Sequence, residues 1–327
     1  MKTEILELLK KQKDFISGQQ LCEHFGVSRT AVWKVINRLK EEGYVIESVN
    51  RKGYRIVSCP DLLSEDELLS ALSRRQVTSL QKLICLSETD STNTDAKKEA
   101  LNGAPDHTLV VADLQRQGKG RRGRSFDSPA GVGIFMTLLL RPTVAPNKAS
   151  MLTLLAGMAV RSAIAELTGE DVRIKWPNDI VLNQKKICGI LTEMSSEMTC
   201  INYVVIGIGI NVNNSSFPGE LQNIASSLFL ETGKTFRRSE LIVGVLHFFD
   251  SYYEQFCKTS DLSLLKEEYN KYMINKNRPV VVVRENESYE ATAIGIDDDG
   301  ELLIDTGKER KKVLSGEVSV RGVYGYV

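Results

Sequence analysis

Residues 113–133 read DLQRQGKGRRGRSFDSPAGVG, and within them Gly118, Gly120 and Gly123 spell G-x-G-x-x-G. That spacing marks a dinucleotide fold only where a strand precedes it and a helix succeeds it. A strand-like run, HTLVVADLQ (107–115), does precede it. The next residues, SFDSPAGVG, have no helical pattern and lead into VGIFMTLLLRP (132–142), a second apolar strand. The segment therefore joins two strands, and a doubly wound fold fails at the point where it would begin. The pattern GxxxxGK[ST] is absent too, which excludes a P-loop. There remains a glycine-rich connection carrying Arg116, Lys119, Arg121, Arg122 and Arg124. Backbone N–H groups and guanidinium forks together make an anion cradle. The alternative is a groove for single-stranded nucleic acid, for which only Phe126 lies close enough to serve as a stacking platform.

The neighbouring segments agree with a mixed architecture. NKASMLTLLAGMAVRSAIAELTGE (147–170) and SELIVGVLHFFDSYYEQFCK (239–258) read as long helices. DVRIKWPNDIVLNQKKICGILTEMS (171–195) reads as strand, turn and hairpin, and NYVVIGIGINVN (202–213) as a further strand carrying Gly207, Gly209 and Asn211. Strands outnumber long helices and do not alternate with them, which predicts an α+β domain with helices against a mixed sheet. Residues 278–327 hold further alternating runs, RPVVVVREN, YEATAIGIDDDGELLIDT and RKKVLSGEVSVRGV, which predict a small β domain.

Upstream, ISGQQLCEHFGVSRTAVWKVINRLKEEGY (16–44) carries two short helical patterns around FGVS. Ser17 and Ser28 suit the caps, Gly26 the turn and Gly43 the stop. Leu21 and Phe25 of the first helix, and Ala31, Val32, Val35, Ile36 and Leu39 of the second, would face inward. Two helices across a short glycine turn make a helix-turn-helix, at about 18–37. YVIESVNRKGYRIV (44–57) then alternates as two strands, about 44–49 and 54–57, around a basic tip, so the unit reads as a winged helix. Arg29, Thr30, Trp33, Lys34 and Asn37 would meet the major groove of DNA, and Arg51 and Lys52 its phosphates. The competing reading is a small helical domain with solvated charges, in which Trp33 is half-buried packing. Pro60 breaks the second wing strand, and Ser64 caps a new helix at SEDELLSALSRR (64–75), which marks a boundary near residue 60.

Composition bounds the rest. The 327 residues are 42% hydrophobic and 26% charged with no formal net charge, which fits a soluble chain of two or three domains. Residues 1–60 carry 11 Lys+Arg against 7 Asp+Glu, a local excess that suits a DNA-contacting module. The six cysteines and three histidines are dispersed without metal-ligand or CxxC spacing. The expectation is a cytoplasmic protein with free thiols and no resident metal. The amphipathic, charged opening MKTEILELLKKQKD is not a signal peptide, and no apolar run reads as a membrane span.

DSTN (90–93), LQRQGKGRRGRSF (114–126), KWPNDI (175–180), KICGILTEM (186–194) and IGIGINVN (206–213) occur in that order behind the winged helix. In this the chain closely resembles the bifunctional biotin–protein ligases that also act as biotin operon repressors, over essentially its whole length. The related lipoate ligases share the catalytic architecture but lack this Gly/Arg loop with KWPND. The resemblance implies an α+β multidomain protein. Its parts would be a winged helix-turn-helix (1–60), a class II synthetase-like ligase domain on a mixed sheet (61–274) and an SH3-like β-barrel (275–327). It implies that biotin and ATP form biotinyl-5′-adenylate with release of pyrophosphate. The biotin would then pass to a lysine of the biotin carboxyl carrier protein of acetyl-CoA carboxylase. It also implies operator DNA as a partner, the adenylate as corepressor, a homodimer in the adenylate-bound state, and Mg²⁺ with the ATP, for which no ligand can be named.

Carried over by motif, Ser91, Thr92, Asn93 and Gln115 would hold the ureido ring of biotin, with Gly189 and Gly207 also at the biotin site. Ser91 and Thr92 could equally cap the helix that begins after them. Lys119, Gly120 and Arg121 would line the carboxylate and α-phosphate, and Lys175, also at the biotin site, would stabilise charge in both chemical steps, with Lys175 and Arg121 catalytic. A lone lysine in the apolar strand Val172–Trp176 calls for an anionic partner, the alternative being a structural ion pair. Arg122 or Arg124 would take the outer phosphates, and Phe126 would cover adenine. Asn178 and Asn211 stand between nucleotide contacts and turn stabilisation. The family usually has arginine where Lys119 stands and tryptophan where Phe126 stands. Two other readings stay open: a biotin-sensing regulator without turnover, and a ligase for lipoate or another carboxylic acid.

Overall fold

The computed structural model describes residues 1–12, 14–284, 287–315, 319–322 and 326, and the chain divides into two compact units, Met1–Thr78 and Ser79–Val327. Parts of the predicted C-terminal strands, at 285–286, 316–318 and 323–325, lie outside the described residues.

In the first unit, α1 (Lys2–Lys11), α2 (Gly18–Phe25) and α3 (Arg29–Glu41) precede a hairpin of β1 (Val45–Val49) and β2 (Gly53–Ser58), with α4 (Glu65–Arg75) after it. The Ser17 hydroxyl accepts from the Gln20 N–H while the Gln20 side chain accepts from the Ser17 N–H, a reciprocal capping box. Gly26 ends α2 at φ 64°, where a side chain is disfavoured. Ser28 caps α3 and Ser64 caps α4. The core joins Ile5, Leu6 and Leu9 of α1 to Leu21, Val32, Ile36 and Leu39, with Phe25 packed at its edge. The helix α4 belongs to this unit, which thus runs past Pro60 to Thr78. It is tied there by Glu67, 1% exposed, whose carboxylate accepts from Lys10 and from the Tyr44 hydroxyl, each at 2.5 Å.

The second unit is built on a seven-stranded sheet in the order β3-β4-β5-β9-β8-β7-β6. These are β3 (Lys82–Leu86), β4 (Thr108–Ala112), β5 (Gly133–Leu140), β6 (Arg173–Lys175), β7 (Asp179–Leu182), β8 (Lys185–Ser196) and β9 (Ile201–Asn211). Within this sheet β3 and β4 pair in parallel and the other neighbours antiparallel, so the sheet is mixed, as expected for α+β. The helices are α5 (Thr92–Leu101), α6 (Met151–Thr168), α7 (Leu228–Thr232), α8 (Arg238–Thr259) and α9 (Lys266–Tyr272). Alternate residues of β8 show the two faces of the sheet. Thr192 bonds Thr153 of α6 at 2.7 Å, whereas Leu191 and Glu193 accept from Asn93 of α5. Contrary to the expectation that no run reads as a membrane span, Pro146–Thr168, which includes α6, is long and apolar enough by composition to cross one; most of it is buried in the core.

A five-stranded antiparallel sheet completes the unit, in the order β13-β12-β11-β10-β14: β10 (Arg278–Arg284), β11 (Glu287–Ile296), β12 (Leu302–Asp305), β13 (Arg310–Val313) and β14 (Ser319–Gly322). It is bound to the larger sheet through Trp176, which is buried and donates its indole N–H to the Gly300 carbonyl at 3.2 Å.

Candidate functional site

The Gly/Arg segment between β4 and β5 is a small hairpin in its own right. The Phe126 N–H donates to the Gly118 carbonyl at 2.8 Å and the Gly120 N–H to the Arg124 carbonyl at 2.7 Å, with a single 3₁₀ turn at Arg121–Gly123 for its tip. Both ends are held by Arg238 from the start of α8. This guanidinium, 2% exposed, donates to Asp113 Oδ1 at 2.6 Å and to the Gly133 carbonyl at 3.1 Å, joining the residues that enter and leave the loop.

Two adjoining cavities meet under this hairpin. The smaller, of about 50 Å³, is lined by Ser91, Thr92 and Asn93 at the start of α5, by Gln115 and Lys119, and by Gly189, Gly207 and Gly209 of the sheet. The larger, of about 580 Å³, is lined by Arg122, Arg124, Lys175, Asn211 and Tyr326, with an apolar wall of Phe217, Leu221 and Ile224. Gly120, Arg121, Phe126, Asn178 and Lys186 line both.

A buried polar network forms the floor of the smaller cavity. Gln115 Oε1 accepts from the Thr92 N–H at 2.9 Å and the Thr92 hydroxyl at 3.0 Å, while its amide donates to Ser128 at 3.1 Å. The Thr137 hydroxyl lies 2.7 Å from Asn93 Oδ1 and 2.8 Å from the Thr92 hydroxyl. Asn93 Nδ2 donates to Glu193 at 2.8 Å, which fixes the amide orientation. Burial would raise the Glu193 carboxyl, but hydrogen bonds from Lys97 and Asn93 hold it below the ordinary range, so it stays an acceptor. Ser91 occupies the N-cap position of α5 yet makes no side-chain capping bond. The glycines are required by closeness: a Cβ on Gly207 would stand 2.1 Å from Asn93 Oδ1, and one on Gly209 would stand 2.7 Å from the Phe126 ring. The Phe126 ring therefore lies on the sheet at the junction of the cavities.

The larger cavity is cationic, with Arg121, Arg122, Arg124, Lys175 and Lys186 against Asp127 and Asp179. Lys186 Nζ pairs with Asp179 Oδ1 at 2.6 Å, and the Tyr326 hydroxyl donates to Asp179 Oδ2 at 2.5 Å. Burial raises the Asp179 carboxyl, yet Lys186, the Tyr326 hydroxyl and Lys175 together hold it below its ordinary value. Lys175, 5% exposed, places Nζ 3.3 Å from the centroid of the Tyr326 ring. Arg121 donates to Asn178 Oδ1 at 2.9 Å and to the Ser315 carbonyl at 2.5 Å, which links the hairpin to the C-terminal sheet.

Every ligand-site residue expected from the sequence in this unit therefore lines one or both cavities. Lys175 lines the larger cavity from β6, the outermost strand of the sheet. The lysine that lines both cavities is Lys186; it and Asp179 lie inside KICGILTEM and KWPNDI without an assigned role, and Tyr326 lies in none of the motifs. Arg116 pairs with Glu88 and lines neither cavity. Asn178 and Asn211 also donate to backbone, to Ile190 at 3.1 Å and Ser226 at 3.0 Å, so the turn-stabilising bonds are present. Among the described residues no group of three metal-ligating side chains is found. In the first unit, Arg29, Thr30, Trp33 and Lys34 project from α3 into solvent, Asn37 is half-buried, and Arg51 and Lys52 are exposed at the hairpin tip.

Comparison with known proteins accounts for all three parts of the chain. Residues 2–55 match the family described as HTH domain, 84–211 the biotin/lipoate A/B protein ligase family, and 277–321 the biotin protein ligase C-terminal domain. The bifunctional ligase/repressor BirA of Bacillus subtilis is 40% identical, with 98% of each chain covered. That of Escherichia coli K12 is 30% identical, with 94% of each covered. The solved biotin protein ligase from Aquifex aeolicus, in complex with biotin and ATP, is 31% identical with a TM-score of 0.66, over 74% of this chain and 100% of that one. With a helix-turn-helix unit, a ligase sheet carrying two joined cavities, and the matching C-terminal sheet, this chain belongs to the family of bifunctional biotin–protein ligase/repressors.

Proposed function

We propose that this protein is an ATP-dependent biotin–protein ligase and a biotin-responsive transcriptional repressor. The observation that carries the ligase reading is the pair of cavities that share Arg121 and Lys186 beneath one cationic hairpin. A small polar pocket joined to a larger cationic one suits a polar carboxylic acid and a nucleoside triphosphate whose reacting ends must meet.

The ureido head of biotin takes the smaller cavity, and the rest of the molecule extends from it. Its ureido group offers one carbonyl acceptor and two N–H donors, which Ser91, Thr92, Asn93 and Gln115 match. Its carboxylate reaches the junction, near Lys119, Gly120 and Arg121. ATP takes the larger cavity, with Arg122 or Arg124 on the outer phosphates and Phe126, Asn178 and Asn211 near the nucleoside. A carboxylate oxygen attacks the α-phosphorus, the bond to the β,γ-diphosphate breaks, and pyrophosphate leaves with the electron pair. No general base is needed, because a carboxylate is ionised at neutral pH. The demand is to hold two anions together and stabilise charge growing on phosphate oxygens. Lys186 and Arg121 stand where both reacting groups arrive, and Lys175 serves the nucleotide side. Mg²⁺ enters as part of the Mg·ATP substrate. A lysine amine of the biotin carboxyl carrier protein of acetyl-CoA carboxylase then attacks the acyl carbon and AMP departs.

On the same reading the DNA-contacting winged helix lies within 1–60 and folds together with α4, the ligase function lies within 61–274 on a class II synthetase-like domain, and 275–327 is an SH3-like barrel. On this reading Arg29, Thr30, Trp33, Lys34 and Asn37 enter the major groove, with Arg51 and Lys52 on phosphates; their exposure supports it for all but the half-buried Asn37. The adenylate is the corepressor, the operator-bound form is a homodimer, and the protein works in the cytoplasm without a membrane.

The test is pyrophosphate release from biotin and Mg·ATP, with mass spectrometry of a carrier domain for one added biotinyl group. Biotin binding without pyrophosphate release would favour a sensor without turnover. Lipoate outcompeting biotin would favour a ligase for another acid.

A further inference from the structure

Tyr326 belongs to the C-terminal part of the chain, yet its side chain reaches the larger cavity of the ligase sheet. Two of its groups act there at once. The hydroxyl donates to Asp179 Oδ2 at 2.5 Å, and Asp179 Oδ1 receives Lys186 at 2.6 Å. The ring face lies 3.3 Å from Lys175 Nζ. One tyrosine thus touches one cavity lysine directly and the other through a shared carboxylate. Val320 is the other described residue downstream of β13 that lines this cavity, and it brings no polar group.

A lysine ammonium is a compact charge on a flexible four-carbon stem. Confined in a cavity, it needs a partner that fixes its direction without neutralising it. A carboxylate would satisfy it but would compete with phosphate. An aromatic face attracts the ammonium through its quadrupole and carries no net charge, so it does not compete with phosphate for the anion-binding role. The phenol hydroxyl, anchored on Asp179, sets the height and tilt of that face.

We infer that Tyr326 is a positioning residue for the nucleotide half of the site, aligning the Lys175 ammonium for ATP phosphates. This deepens, and rests on, the ligase reading. The smaller cavity does not include Tyr326, so the effect falls on ATP and spares biotin.

Steady-state pyrophosphate release in the full chain, with ATP and biotin titrated separately, tests the assignment. Tyr326→Leu removes ring and hydroxyl. Its KM for ATP is expected to rise about tenfold, within the range of a desolvated cation–π contact, while its KM for biotin stays at the wild-type value. Tyr326→Phe keeps the ring and should recover the ATP KM to within about threefold, the hydroxyl serving only to anchor the ring. The biotin KM is the folding control, and Tyr326→Met, of similar reach, replaces the leucine variant if that control is lost. The proposal is overturned by a leucine variant with an unchanged ATP KM, by equal losses for ATP and biotin in a folded variant, or by a phenylalanine variant as impaired as leucine. Failure of the wild-type chain to release pyrophosphate would instead overturn the ligase reading itself.

Discussion

Replacing Lys186 with methionine keeps the length of the side chain and removes the one ammonium that, among the described residues, lines both cavities. If that ammonium meets the carboxylate and the α-phosphate together, its loss removes a donor aimed at developing phosphate charge. Such losses cost about 10²–10³-fold in turnover, or roughly 2.7–4 kcal/mol. Because Lys186 borders the smaller cavity too, the biotin KM should rise along with the fall in adenylate formation. Lys175→Met is the internal comparison. Lys175 borders only the larger cavity, so its loss should raise the ATP KM about ten- to a hundredfold, the scale of a hydrogen bond to a charged group, with a smaller effect on biotin. The same substitution of Lys186 has a pH signature through Asp179. In the native protein that carboxyl is held low, so it contributes stability that is present above the unfolded pKa of about 3.9. That stability is lost as the pH falls through the lower folded value. Without Lys186, the raising effect of burial meets weaker opposition, from Tyr326, Lys175 and the nearby Arg121. The share of the stability that depends on Asp179 ionisation should therefore shrink, so the variant should lose less stability than wild type as the pH falls through about 3.9. Single-turnover adenylate formation, substrate titrations and urea unfolding between about pH 3 and 6 measure all three effects. Near-normal adenylate formation by the Lys186 variant, or a Lys175 variant that loses more and loses biotin as well, would refute this division of labour.

Three further outcomes are expected. Gly207→Ala places a methyl group 2.1 Å from Asn93 Oδ1; displacing that amide disrupts buried hydrogen bonds worth about 1–3 kcal/mol each, so the biotin KM should rise about 100-fold with little change for ATP, and a biotin titration giving a wild-type KM would remove Asn93 from biotin recognition. Glu67→Gln should lower the stability of a 1–78 fragment by about 3–5 kcal/mol, since it leaves Lys10 without its buried carboxylate, and a 1–60 fragment should fail to fold cooperatively; circular dichroism melts check both, and a stable 1–60 fragment would contradict the role given to α4. Arg51→Ala with Lys52→Ala should reduce the log–log salt slope of operator binding by about 2, read by fluorescence anisotropy at several salt concentrations, whereas an unchanged slope would take the wing off the phosphates.

The features legible in the sequence are those settled by neighbours along the chain. Ser17, Ser28 and Ser64 are caps because a hydroxyl reaches N–H groups two or three residues on. The wing is evident from strict alternation around a basic tip. The Gly/Arg loop is readable because glycines and cations in that density have few other uses. The residues that no local reading finds are those whose role is made by distant pairing. Lys186 stands in KKICGIL, where a lysine opening a strand reads as solvated. Only the register of β7 on β8, with its shift between Ile180 and Val181, carries it to Asp179. Tyr326 meets Asp179 across a separation of 147 residues, and Lys10 meets Glu67 across 57. No local pattern encodes such contacts. Lys175 combines both kinds of information: its burial is evident from its sequence neighbours, whereas the cavity it borders depends on β6 being the outermost strand.

The Arg238 clamp has a consequence for how freely the hairpin can change. With Asp113 and Gly133 held by one buried guanidinium, the residues between them form a closed ring whose ends stay in register with β4 and β5 whatever the interior contains. For a flexible ring the closure entropy grows only with the logarithm of length, about 0.6 kcal/mol per doubling. Insertions or exchanges inside the ring should therefore tax the fold little, while the position of the ring over the junction is retained. Substrate preference can drift there under selection with little effect on stability, and a library randomised at residues 121–125, leaving Gly118, Phe126 and Ser128 in place, should yield mostly folded proteins.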